Sequence, residues 1–131
     1  MDISTCIISL GSNTDAEQNL KKAYELLVRA YPGIIFSPVQ KSIPRDMKYN
    51  HTPFLNQVAC FDTNQTLEEV GTALKVMERL CGRRPTDKEQ ETVCIDLDLL
   101  AHGDTICKPM DFKLYTQEIK SLLNEKGKLQ K

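Results

Sequence analysis

Cys94-Ile95-Asp96-Leu97-Asp98-Leu99-Leu100 alternates apolar and acidic side chains. In an extended strand successive side chains point to opposite faces. Ile95, Leu97 and Leu99 then share one face, and Asp96 and Asp98 share the other. One strand repeat separates the two acidic Cα atoms by roughly 6.5–7 Å. Acids are depleted in strands, and two side by side repel unless something positive sits between or beyond them. A hard divalent cation takes oxygen ligands and often bridges to a substrate phosphate. The plain alternative is an exposed strand face with two solvated carboxylates.

Before this stretch, Leu67, Val70, Ala73, Leu74, Met77 and Cys81 recur at helical spacing. Thr66 and Glu69 form a capping box at the start of that helix, and Gly82 closes it. Phe54 to Asp62 reads as a strand, preceded by a polar loop from Pro44 to Pro53. Gly33 to Ser42 reads as one strand, bent or at a sheet edge because Pro38 cannot donate to a central ladder. At the front, Ile3 to Leu10 is a β-branched apolar run that stops at the turn Gly11-Ser12-Asn13. Thr14 and Glu17 mark a second capping box. Leu20, Ala23, Tyr24, Leu27 and Tyr31 follow as a helical stripe that ends at Pro32-Gly33. After His102-Gly103-Asp104, Thr105 to Cys107 suits a short returning strand, and Thr116 to Glu125 suits a short tail helix.

The order strand, helix, strand, strand, helix, strand is that of an α+β, ferredoxin-like βαββαβ fold, with helices on one face of a mainly antiparallel sheet. The acid-bearing strand would then lie beside the first. The 131 residues suit one domain over 1–131, with a core at about 3–107 and a tail helix at about 116–125. A net charge of −1 gives no electrostatic footprint for nucleic acid. No apolar run is long enough to span a bilayer, and the start lacks the pattern of a signal peptide. The expected compartment is therefore the cytoplasm. Cys6, Cys60, Cys81, Cys94 and Cys107 are odd in number and lack close metal-ligand spacing, so they read as buried free thiols. Cys6, Cys60 and Cys94 fall in the expected strands. His51 and His102 are isolated and are not read as ligands.

Four pieces together resemble the 6-hydroxymethyl-7,8-dihydropterin pyrophosphokinases of folate synthesis. They are Leu10-Gly11-Ser12-Asn13, Phe54-Leu55-Asn56, Glu78 with Cys81-Gly82-Arg83, and Ile95-Asp96-Leu97-Asp98-Leu99-Leu100 followed by Gly103. The resemblance implies a transferase that moves pyrophosphate from ATP to the pterin hydroxymethyl group, with two Mg2+ ions. Under it, Asp96 and Asp98 match the magnesium-binding pair. Asn56 matches the pterin-binding asparagine, whose amide offers both donor and acceptor. Phe54 matches an aromatic of the pterin pocket, or is a core residue. Ile43 and Pro44 match the flanking loop. Glu78 matches an acid near the nucleotide, or is a solvated helix position. Arg83 matches a catalytic basic residue at the ATP phosphates, and the adjoining Arg84 is grouped with it for nucleotide binding. Partners are then small molecules, with neither nucleic acid nor membrane implied.

The sequence also departs from that pattern. Val93 stands where the family has an arginine, Gln90 replaces a tryptophan, and Glu91-Thr92 replaces Gly-Pro. Glu89 and Glu91 add negative charge where ATP phosphates would lie. After Gly103 the family's proline-histidine segment and later arginines are replaced by Lys108, Pro109, Met110 and a short tail. Lys75, Lys88 or Lys108 would compensate only as point charges, without arginine's fixed fork. Three functions stay open: a divergent kinase of reduced activity, a catalytically degenerate paralogue that binds a pterin-like or nucleotide ligand, and a ferredoxin-like interaction domain.

Overall fold

The computed structural model describes residues 2–43, 50–84 and 91–129. Pro44, Lys88, Glu89 and Gln90 lie outside the described residues. Strand β1 (Ser4–Ser12) leads to helix α1 (Ala16–Ala30), then to the short strands β2 (Ile35–Phe36) and β3 (Gln40–Ser42). Strand β4 (Phe54–Thr63), helix α2 (Leu67–Leu80) and strand β5 (Asp96–His102) complete the ferredoxin-like core. Strand β6 (Thr105–Ile106) and helices α3 (Pro109–Leu114) and α4 (Thr116–Leu129) follow. The sheet order is β2-β4-β1-β5-β6, with β3 also on β4, and every pairing is antiparallel. The acid-bearing strand does lie beside β1.

The segment read as one bent strand is two short strands on the same edge of β4. Between them Ser37 donates its backbone N–H to the Val58 carbonyl and accepts the Val58 N–H on its hydroxyl. That local bond replaces the ladder where Pro38 interrupts it.

Cys6, Ile8, Leu10, Ala59, Phe61, Ile95 and Leu97 face α1 and α2 in the larger core. There the Tyr31 and Phe61 rings stack with centroids 3.9 Å apart, and the Tyr31 hydroxyl reaches Gln65 Oε1 at 2.8 Å. Ile7, Val58, Cys60, Leu100 and Ala101 face the other way, where Ile119 and Leu122 of α4 cover them. The tail helix is longer than 116–125 and is preceded by α3. It closes a second core on the sheet face away from α1 and α2. Lys126 ties its far end to Asp62 at 2.6 Å.

Two helix starts differ. The Thr66–Glu69 capping box forms in both directions, at 2.8 and 3.1 Å. The one read at Thr14 does not form. The Thr14 hydroxyl donates instead to Asn13 Oδ1, and α1 begins one residue later after Asp15, whose φ of 43° is left-handed. Glu17 then sits one position short of where it could reach back. Gly82 does end α2, at φ 100°.

Strand β5 starts at Asp96 rather than Cys94. Its last pair with β1 is Gly11 with Asp96. Beyond it, Asn13 takes over: its backbone N–H donates to the Val93 carbonyl at 2.9 Å, and its Oδ1 accepts the Val93 N–H at 2.6 Å. A bulge lies between Ile7 and Ile8 opposite β5, so Leu99 pairs with Ile8 and Ala101 with Ile7. Two adjacent side chains, Leu100 and Ala101, consequently enter the second core.

Candidate functional site

Register builds the site. Gln40 pairs with Asn56, Asn56 with Gly11, and Gly11 with Asp96, so these residues form one row across four strands. Their side chains share the face that carries the second core. Asn56 and Asp96 are two strand spacings apart, roughly 9–10 Å. Gly11, between them, contributes no side chain and leaves a gap. A Cβ there would lie 3.4 Å from Asn56 Oδ1 and 3.9 Å from Phe54 Cδ1. The next row places Asp98 opposite Ser9. The resulting cleft, about 170 Å³, is lined by Ser9, Gly11, Phe54, Asn56, Asp96 and Asp98, with Asp111 and Tyr115 on its outer side.

Each acid already holds a cation. Arg83 Nη1 lies 2.9 Å from Asp96 Oδ1, and Lys108 Nζ lies 2.9 Å from Asp98 Oδ1. Burial pushes the Asp98 carboxyl above its ordinary pKa, the adjacent Asp96 carboxylate adds to the push, and Lys108 opposes it. Burial alone would lower the Arg83 pKa, yet its bond to Asp96 and the charges of Glu78, Asp96 and Asp98 raise it. The same guanidinium nitrogen is 2.9 Å from Glu78 Oε2 and donates to the Ile95 carbonyl at 3.3 Å.

Glu78 is not a solvated helix residue. It is 3% exposed, and its Oε2 accepts the Leu97 backbone N–H at 2.7 Å. Strand β6 pairs only with Ala101 and His102, so it does not reach that part of the β5 edge. The carboxylate supplies the missing acceptor between the two acids, as a buried backbone donor requires. Its Oε1 faces Lys75 Nζ at 3.3 Å.

A larger groove of about 710 Å³ runs between α2 and the β5 edge, past Lys75, Arg79, Leu97, Asp98 and Lys108. A neighbouring hollow of about 380 Å³ gathers Lys75, Glu78, Arg79, Arg83 and Arg84. Asp98 therefore stands between a small polar cleft and a groove with a basic rim, with Asp96 beside it in the cleft. Ile43, at 81% exposure, follows the end of β3 near Phe54, its neighbour Ser42 pairing with Phe54. Glu91 accepts the Asn50 N–H on its carboxylate at 3.3 Å, and its carbonyl takes the side-chain amides of Asn13 and Asn50.

The sequence model of the 7,8-dihydro-6-hydroxymethylpterin-pyrophosphokinase (HPPK) family matches residues 7–121. The chain belongs to this family. At family level that makes it a pyrophosphokinase of the folate pathway. Among curated proteins none is similar enough to match. One similar solved structure is a de novo designed protein with a ferredoxin fold, 13% identical, covering 80% of this chain and 91% of its own, with a TM-score of 0.35.

Of the described residues expected at the site of this HPPK-family chain, all but Ile43 line one of two neighbouring hollows. Phe54, Asn56, Asp96 and Asp98 share the cleft, and Glu78, Arg83 and Arg84 share the hollow beside it. Arg79, Asp111 and Tyr115 escaped the sequence reading. Arg79 was legible as the middle of Lys75, Arg79 and Arg83, spaced by four along α2 and its end. Asn13, the last residue of the Leu10-Gly11-Ser12-Asn13 motif, holds the segment before β5.

Proposed function

We propose that the protein transfers pyrophosphate from ATP to the hydroxymethyl oxygen of 6-hydroxymethyl-7,8-dihydropterin and releases AMP. One observation carries the reading: Asp98 lines both the cleft with Asn56 and the groove with the basic rim, and Asp96 lines the cleft beside it. A two-substrate transfer needs its reacting ends to meet at such a boundary. Asn56 is fixed by Ser42 at 2.6 Å and would hold the pterin over Gly11, with Phe54 as a wall. Arg83 would act at the transferred phosphates, with Lys75, Arg79, Arg84 and Lys108 neutralising charge along the groove. Glu78 would serve the nucleotide through Arg83 and Lys75 rather than by direct contact.

The donor set fits magnesium. Magnesium commonly uses one or two carboxylates and completes its shell with water and substrate phosphate. Asp96 and Asp98 provide those carboxylates, and no group of three or more metal-ligating side chains exists among the described residues. Two ions are expected, to neutralise phosphate charge and orient the phosphates when ATP is present. Burial and the neighbouring Asp96 disfavour the charge on Asp98, and a cation there would relieve that. No described helix is long and apolar enough to cross a membrane. Five cysteines without a disulfide suit a reducing compartment, and we place the protein in the cytoplasm.

Incubation with ATP, Mg2+ and the hydroxymethyl dihydropterin, with AMP read by chromatography, tests the transfer. AMP formation that depends on the pterin is expected. Asp98→Asn should lower it by about 100- to 1,000-fold. No AMP above background at high protein concentration overturns the reading. A second reading, ligand binding without transfer, is favoured by the two ion pairs that already satisfy Asp96 and Asp98. Calorimetric binding of pterin with no turnover would establish it.

A further inference from the structure

The cleft over Gly11 has an outer wall made by the C-terminal helices. The Leu100 carbonyl accepts the backbone N–H groups of Cys107 at 2.8 Å and Lys108 at 3.3 Å, which fixes the start of α3 against β5. Phe112 and Tyr115 pack against the second core. Tyr115 N–H donates to the Asp111 carbonyl at 3.2 Å, so Asp111 and Tyr115 lie one turn apart and both line the cleft. Asp111 faces the same cleft as Asp96 and Asp98, yet the three do not form a group able to hold one metal ion. Its carboxylate also has no hydrogen bond or salt bridge among the described residues. On the opposite wall, Asn56 commits its Nδ2 to Ser42 and turns Oδ1 toward the Gly11 gap. The two walls therefore offer acceptors to whatever ring lies between them.

We infer that Asp111 is a specificity-determining residue of the acceptor cleft, selecting rings with adjacent N–H donors. A carboxylate accepts two parallel N–H bonds from an amino-substituted pyrimidine edge. A ring without the amino group leaves that carboxylate unpaired, the situation that gives hydrogen-bonding sites their discrimination. This deepens the transfer reading and rests on it. It also gives the C-terminal segment a task in the site.

The test uses the intrinsic fluorescence of 6-hydroxymethylpterin, which the tryptophan-free chain does not obscure. Wild type, Asp111→Asn and Asp111→Glu are titrated with this pterin, with its analogue bearing hydrogen in place of the 2-amino group, and separately with an ATP analogue and Mg2+. Asp111→Asn should weaken pterin binding about 10- to 100-fold, with Asp111→Glu recovering part of the loss. Binding of the analogue without the amino group, and of the ATP analogue, should stay within about twofold of wild type. A purely structural role for Asp111 would move all ligands together and overturns the inference. So does pterin binding by Asp111→Asn equal to wild type, which leaves the transfer reading standing. Wild type that binds no pterin overturns both.

Discussion

Glu78 shows how one buried carboxylate can organise a cleft that it does not line. It satisfies the Leu97 N–H between the two acids and shares Arg83 with Asp96. Truncation in Glu78→Ala leaves the buried Leu97 N–H unmatched and takes one of two carboxylates from Arg83, and should cost about 3 kcal/mol in urea denaturation. Glu78→Gln keeps the acceptor and should cost about 1–2 kcal/mol. Equal losses would mean that the retained acceptor contributes nothing and that the charge carries the whole effect. Gly11 acts by what it lacks. A Cβ there meets only ordinary contacts, so Gly11→Ala should fold with an unchanged urea midpoint. It should nonetheless raise the KM for the pterin acceptor while leaving that for ATP alone. Neither role was legible in the sequence. Glu78 is one acid among several on α2. Gly11 sits at the end of an apolar run, and its neighbours across the sheet are 45 and 85 residues away.

Among the elements, α1 and α2 carry similar start signals and only one is realised. Thr66→Ala should lower stability by about 1 kcal/mol through loss of the capping box. Glu17→Ala should change it by less than about 0.5 kcal/mol, because Glu17 caps nothing. Matched chemical denaturation curves check both. The strand–helix order was readable because apolar periodicity and turn residues are local. A Thr14 start does not form because the Thr14 hydroxyl donates to Asn13, which is itself held by Val93 just ahead of the neighbouring strand β5, 80 residues away in sequence. For α3 a signal was present: Pro109 occupies the first helical position, where proline is favoured. The face that α3 and α4 cover could not be inferred from their own sequence, since it is set by which side of the sheet α1 and α2 leave bare.

At the scale of the whole molecule, two cores share one sheet, and thiols lie in both. Burial pushes the Cys6 thiol up to about 12 and that of Cys60 up to about 11, from an ordinary 9.0. Above pH 9 the unfolded chain has lost these protons while the folded one keeps them. Fewer protons bound to the unfolded state means that stability falls as pH rises, by about 1.4 kcal/mol per pH unit for each thiol. Urea midpoints at pH 8 and pH 10 should show the drop, and Cys60→Ala should show a smaller one. Ellman's reagent at pH 8 should react quickly with Cys94 and Cys107, which are half-buried, and slowly with Cys6, Cys60 and Cys81. The bulge in the pairing of β5 with β1 bears on the molecule in another way. It divides β5 into two lengths with independent phase. Ahead of it, the alternation that aims Asp96 and Asp98 is set by pairing with Gly11 and Ser9. Past it, Leu100 and Ala101 serve the second core, and His102 turns to the Gln65 carbonyl at 2.9 Å. A one-residue insertion or deletion beyond the bulge would scramble the scaffold end and leave the acids aimed as before. The strand thus insulates its chemistry from errors in its own framework.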